Sequence, residues 1–87
     1  MPNTSQTHHV SASDLAAKHY KCLNVSICNN IAHIELSRPN ELNSMIPDFW
    51  HELPECVRDI DNNSLARVIV ISALGKHFSA GMDLSVF

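Results

Sequence analysis

At 87 residues the chain has room for one small domain, which buries only about 60% of the surface its unfolded chain exposes. Hydrophobic residues at 45% and charged residues at 17% form a globular balance, against a wholly disordered chain. A net charge of −3 with six Lys and Arg argues against nucleic-acid binding, and no apolar run approaches the ~18 residues of a membrane helix.

Residues 1–17 read as a disordered leader, with Pro2, Asn3, Thr4, Ser5, Gln6 and Thr7 and little periodicity. Before Lys18 there is no Lys or Arg and no apolar stretch, so the leader resembles neither a secretory nor a transit peptide. Residues 14–18 have the makings of a single helical turn, but a frayed linker is the expectation. The folded segment is placed at residues 18–87.

From Tyr20 onward the pattern alternates. Leu23, Val25 and Ile27 fall on one face of a strand, and Ala32, Ile34 and Leu36 on one face of the next. Between them, Asn29 and Asn30 are residues that tolerate the positive φ of a tight hairpin turn. Residues 37–43 form a loop punctuated by Pro39. A helix is predicted to start at Asn43 or Ser44 as N-cap, with Pro47 in its first turn. Ile46, Phe49, Leu53, Cys56, Val57 and Ile60 give it one apolar stripe. Pro54 is expected to kink this helix without splitting it, because the stripe stays in register across it.

Residues 61–64 close the helix, and Val68, Ile69, Val70 and Ile71 follow as an unbroken β-branched run. Such a run suits a strand buried on both faces, parallel to its neighbour and reached by a helical crossover. The order is therefore ββαβ, an α/β arrangement that looks like the front of a larger fold.

Chemistry-bearing motifs are few. Three cysteines, Cys22, Cys28 and Cys56, are odd in number and widely spaced, which fits a reducing compartment and not a disulfide framework. Six histidines are scattered or lie near the leader, so no metal site is expected. Gly75-Lys76 is not a phosphate loop, since Val70 and His77 occupy the positions of its first Gly and its Ser or Thr. No G-x-S-x-G elbow can be built from Gly75 and Gly81. His77 reads as an exposed turn residue and Phe78 as a core anchor.

Residues 78–84 admit two readings. Gly81, after the small residues Ser79 and Ala80, lets a ligand approach the backbone, and a helix starting just after it would leave the N–H groups around Met82 and Asp83 pointing outward to stabilise an oxyanion. Alternatively the segment is a plain strand-to-helix turn with Asp83 near the N-cap.

Ser37-Arg38-Pro39-Asn40 with Leu42-Asn43-Ser44-Met45, then a buried strand, then residues 75–84 (GKHFSAGMDL), resembles the N-terminal part of the crotonase superfamily, the enoyl-CoA hydratases and isomerases. Phe49-Trp50, Glu55-Cys56 and the Gly-Met-Asp-Leu ending most resemble dienoyl-CoA isomerase. The resemblance covers nearly everything after the leader. It implies an N-terminal ββαβ part of a spiral of ββα units, an acyl-CoA thioester as substrate and no cofactor. It implies a homotrimer or hexamer for the full-length protein, without nucleic-acid or membrane partners. The compartment would be cytoplasmic in a bacterium, mitochondrial or peroxisomal in a eukaryote.

Carried over residue by residue, the backbone N–H of Met82 matches the family's first oxyanion donor. Ala80, Gly81, Met82, Asp83 and Leu84 match the acyl-thioester pocket, and Asn40, Glu41 and Leu42 match a segment beside bound CoA. The family's second donor and its acid/base carboxylates are expected beyond the equivalent of Phe87, so the 87 residues alone are expected to be inactive. Glu35, Glu41, Glu52, Glu55 and Asp59 read as solvated charges, not as general bases. Rival readings are an enoyl-CoA hydratase of the same family and a non-catalytic CoA-binding or interaction module.

Overall fold

A computed structural model describes residues 10–86. Helix α1 (Ala12–Ala17) precedes strands β1 (Leu23–Cys28) and β2 (Ile31–Leu36), a 3-10 turn (Pro39–Glu41), helix α2 (Pro47–Asn62), strand β3 (Val68–Ala73) and a second 3-10 turn (Leu84–Val86). The three strands form one sheet in the order β1-β2-β3.

The hairpin is as the alternation predicts. Asn29 and Asn30 have φ of 52° and 65°, the left-handed pair that matches the twist of a two-residue turn. Pairing runs antiparallel from Cys28 opposite Ile31 to Leu23 opposite Leu36. Leu23, Ala32, Ile34 and Leu36 are buried on one face, joined in the core by Cys22, Phe49, Cys56, Ile60 and Leu15. Asn24 and Ser26, on the other face, are exposed.

Helix α2 starts later than predicted. Its N-cap is Ile46, which makes no side-chain cap bond, and Pro47 occupies the first turn, where a missing N–H costs nothing. Neither Asn43 nor Ser44 caps it; both side chains are engaged elsewhere. Pro54 lies inside a single helix that buries Phe49, Cys56 and Ile60.

Strand β3 lies parallel to β2, from Ile31 opposite Val68 to Leu36 opposite Ala73, across the α2 crossover. Its expected burial on both faces is not observed: Val68, Ile69, Val70 and Ile71 are 54%, 36%, 45% and 43% exposed. The reason is positional. β3 is the edge of the sheet, and the core centres on β1, β2 and α2.

The leader also needs correction. Residues 12–17 are helical, with a reciprocal capping box between Ser11 and Asp14, and Leu15 is 0% exposed. Burying that one side chain is worth about 2 kcal/mol, enough to dock a six-residue helix that would not form alone. Lys18 beside it reaches Glu55 at 2.8 Å and Asp59 at 3.3 Å, and the Val10 N–H donates to Asn63 Oδ1 at 3.1 Å. The rest of the expected leader, residues 1–9, lies outside the described residues.

The acidic side chains are less idle than predicted. Glu52 accepts the Lys21 N–H at 2.7 Å and the Cys22 N–H at 2.8 Å, fastening α2 to the entrance of β1. Glu55 and Asp59 form the Lys18 pairs, and Glu35 accepts from Asn24.

Candidate functional site

Because β2 and β3 run parallel, their C-terminal ends lie side by side, and the loops leaving them meet at that edge of the sheet. The junction begins where the Leu74 N–H donates to the Leu36 carbonyl at 2.9 Å. The loop after β2 then reverses through two successive left-handed residues, Leu42 at φ 55° and Asn43 at φ 51°.

Three backbone bonds zip the second loop onto the first. Ala80 N–H donates to Leu42 O at 2.9 Å, Met45 N–H to Gly81 O at 2.8 Å, and Asp83 N–H to Met45 O at 3.0 Å. The last two make Met45 and Met82 an isolated parallel bridge. In that bridge Gly81 O and Asp83 N point toward Met45, so the N–H of Met82 between them points the other way. It donates to no group among the described residues. Of the two N–H groups expected to be free, Met82 keeps its donor and Asp83 does not.

Gly81 turns the chain into this position at φ 92°, a conformation side chains rarely adopt. A Cβ built there meets nothing within 4 Å, so the glycine is required by its dihedral and leaves open space beside the donor. The Gly81 N–H donates to Ser79 Oγ at 3.0 Å.

Asp83 anchors the exit. Its carboxylate accepts from the Ser85 hydroxyl at 2.6 Å and N–H at 2.9 Å, and from Ser44 Oγ at 3.1 Å. These bonds, those of Ser85 first, hold the carboxyl below the usual range. A 3-10 turn at Leu84–Val86 follows in place of the helix expected after Gly81, and its Ser85 N–H is the one that bonds Asp83.

The predicted site residues therefore fall into two adjoining groups. Ala80, Gly81, Met82 and Asp83 stand on the second loop, facing the strip that Leu42 opens on the first. Asn40 and Glu41 occupy the 3-10 turn just before Leu42 and are exposed. Leu84 is 81% exposed and makes no wall in residues 10–86. Phe78, predicted as a core anchor, is 56% exposed, since β3 leads it away from the core at the sheet edge. Leu42, Leu74 and Met82, each 39–51% exposed, add further apolar surface on the same two loops. A neighbouring depression is lined by Pro39, Leu42, Leu74, Lys76 and His77.

Asn43 was missed as a residue of this junction. It is the buried polar residue of the described chain, and it bonds both loops. Its type fits an N-cap equally well, and only the parallel pairing brings the second loop within its reach. Among the described residues no group of three or more His, Cys, Asp or Glu could hold a metal ion, and no helix is long and apolar enough to cross a membrane. His8 and His9 lie outside the described residues.

Residues 26–87 match the family model of enoyl-CoA hydratase/isomerase. The chain is 42% identical over 66 residues to a mitochondrial Delta(3,5)-Delta(2,4)-dienoyl-CoA isomerase of Homo sapiens, covering 75% of this chain and 20% of that protein. It is 36% identical over 69 residues to a peroxisomal protein of the same name from Arabidopsis thaliana, covering 76% and 25%. The crystal structure of a probable enoyl-CoA hydratase from Mycobacterium smegmatis superposes with a TM-score of 0.71 at 34% identity, covering 75% of this chain and 26% of that one. The chain spans a fifth to a quarter of the length of the curated relatives it matches.

Proposed function

Since the chain belongs to the enoyl-CoA hydratase/isomerase family, we propose that it supplies one backbone donor, the Met82 N–H, to the thioester oxygen of a bound acyl-CoA. The observation that carries this is the outward N–H of Met82, left over by the bridge to Met45 and opened to solvent by Gly81. A fixed donor aimed at an oxygen that gains charge in the transition state lowers the barrier by roughly 3 kcal/mol.

The reaction is a double-bond shift. A base removes a proton from the carbon beside the thioester carbonyl, and the electron pair moves onto the carbonyl oxygen, where the N–H holds it. Return of a proton at the far end of the diene gives the conjugated product. The names of the relatives, Delta(3,5)-Delta(2,4)-dienoyl-CoA isomerases, support this over hydration. The exposed apolar surface of Leu42, Leu74, Phe78 and Met82 suits the acyl chain, and residues 40–42 suit a place beside the CoA.

We assign no acid/base carboxylate within residues 10–86. Glu52 holds two backbone N–H groups, Glu55 and Asp59 pair with Lys18, and Asp83 is committed to Ser44 and Ser85. The chemistry as proposed needs no cofactor, and the 87 residues alone are expected to show no turnover. Mitochondrial and peroxisomal relatives favour an organellar compartment, and the family resemblance favours a homotrimer or hexamer.

The test is to assay the full-length gene product on a 3,5-dienoyl-CoA and on a 2-enoyl-CoA, the first by the absorbance of the conjugated product and the second by its loss. Faster turnover of the dienoyl thioester is the expected result. Preferential hydration would favour a hydratase, and binding without turnover of either would favour a non-catalytic CoA-binding module.

A further inference from the structure

We propose that Asn43 is the positioning residue for the Met82 donor, an inference that rests on the reading of Met82 given above. Asn43 is 4% exposed, and every polar group it has is used. Its Oδ1 accepts the Arg38 N–H at 2.8 Å, on the loop after β2. Its Nδ2 donates to the Leu74 carbonyl at 2.9 Å and the His77 carbonyl at 3.1 Å, on the loop after β3. Its own N–H donates to Arg38 O at 2.8 Å, and its carbonyl accepts from Ser79 Oγ at 2.9 Å.

The last bond leads to the donor. Ser79 Oγ, held by Asn43 O, accepts the Gly81 N–H at 3.0 Å, and Gly81 is bonded directly to Met82. The second loop is thus held at Leu74 and His77 by the Asn43 side chain and at Ser79 by its backbone. Met45, two residues further along, clasps Gly81 and Asp83. Asn43 and Met45 of one loop therefore set the path of the other from its start to Met82.

Residue type matters at each of these bonds. Aspartate would accept from Arg38 but donate to neither carbonyl, and would face both with a negative charge. Glycine would keep φ 51° and both backbone bonds while deleting the side-chain bridge. Asn43→Gly therefore separates the bridge from the backbone conformation.

Two measurements test the inference, one of them independent of activity. Amide hydrogen exchange of the unliganded full-length gene product should show Ala80 and Asp83 exchanging at least about tenfold faster in Asn43→Gly, with β1 and β2 unchanged. Unchanged exchange at Ala80 and Asp83 would overturn it. On bound carbonyl-labelled acyl-CoA, the infrared red shift of the thioester carbonyl should shrink in Asn43→Gly. In the same variant kcat should fall roughly a hundredfold, as expected for a displaced donor, with KM little changed. A folded variant with the wild-type red shift and kcat would overturn the inference. If Asn43→Gly does not fold, Ser79→Ala removes only the link from Asn43 to Gly81. It should speed exchange at Gly81 and reduce the red shift, and the absence of both would again overturn the inference. A wild-type protein that shows no red shift would instead sink the oxyanion reading of Met82, with the exchange experiment still deciding the role of Asn43.

Discussion

Met45 and Met82 face each other in a parallel bridge whose two hydrogen bonds both belong to Met45. Proline at position 82 therefore deletes the free N–H without breaking either bond of the bridge. In the full-length gene product, Met82→Pro is expected to lower kcat roughly a hundredfold or more, the scale of one oxyanion donor. Met82→Ala keeps the donor and should keep most of kcat. Circular dichroism must first establish that the proline variant is folded, because proline also restricts Gly81. Near-normal kcat in a folded proline variant would reduce the segment to a structural turn.

The two glycines of the second loop predict different failures. Gly75 has φ 86°, and a Cβ there would lie 3.0 Å from Pro39 Cβ and 3.7 Å from Pro39 Cα. Gly81 has φ 92° and open space. Gly81→Ala should cost only the backbone strain, about 1–2 kcal/mol, while Gly75→Ala adds crowding against a rigid ring. Urea unfolding should therefore rank Gly75→Ala as the less stable, and kinetics should rank Gly81→Ala as the less active for a given loss of stability. The opposite stability order would contradict the packing described.

Glu52 joins helix to strand through two charge-assisted bonds to backbone N–H groups. Glu52→Ala leaves both donors without this partner, at a cost of about 1–3 kcal/mol. Glu52→Gln retains one acceptor oxygen and should lose less. Equal urea midpoints for wild type and Glu52→Ala would show that water replaces the carboxylate freely.

An alkaline limb of stability follows from Cys22. Burial first, and the Glu52 carboxylate second, push its thiol from 9.0 up to about 11. A raised value means that the fold favours the protonated thiol, so this contribution is whole below pH 9 and is lost as pH climbs toward about 11. Tyr20 and Cys56 are shifted up by burial and act in the same direction. Urea midpoints should fall across that window, and Cys22→Ala should blunt the fall. A profile flat through pH 11 in the wild type would refute this.

What the sequence made legible was local or periodic. Asn29-Asn30 specifies its turn by dihedral preference, and Leu23, Ala32, Ile34 and Leu36 specify a face by spacing. The turn that leaves the Met82 N–H unpaired among the described residues was legible through Gly81. What escaped depends on partners distant in the chain. Leu15 is the one large apolar residue of a six-residue helix, and that helix is held by a core assembled from elsewhere. Glu52 on the α2 surface looks like any solvated carboxylate until Lys21 and Cys22 arrive opposite it. Asn43 looks like a cap because asparagine caps helices, whereas its partners Leu74 and His77 lie across the crossover. The burial expected of β3 misses for a related reason, since a β-branched run records suitability for a core and not the neighbours present.

The parallel pairing of β2 and β3 also bears on the order of folding. A hairpin closed by two asparagines can zip up within about 1–10 μs. The bonds that aim Met82 instead join residues such as Asn43 and His77, 34 apart, or Ser44 and Asp83, 39 apart. Loop-closure entropy must be overcome before any of them contributes, which makes such contacts slow to form. The loop that carries Met82 is therefore expected to close after the hairpin, since its anchors span the whole crossover.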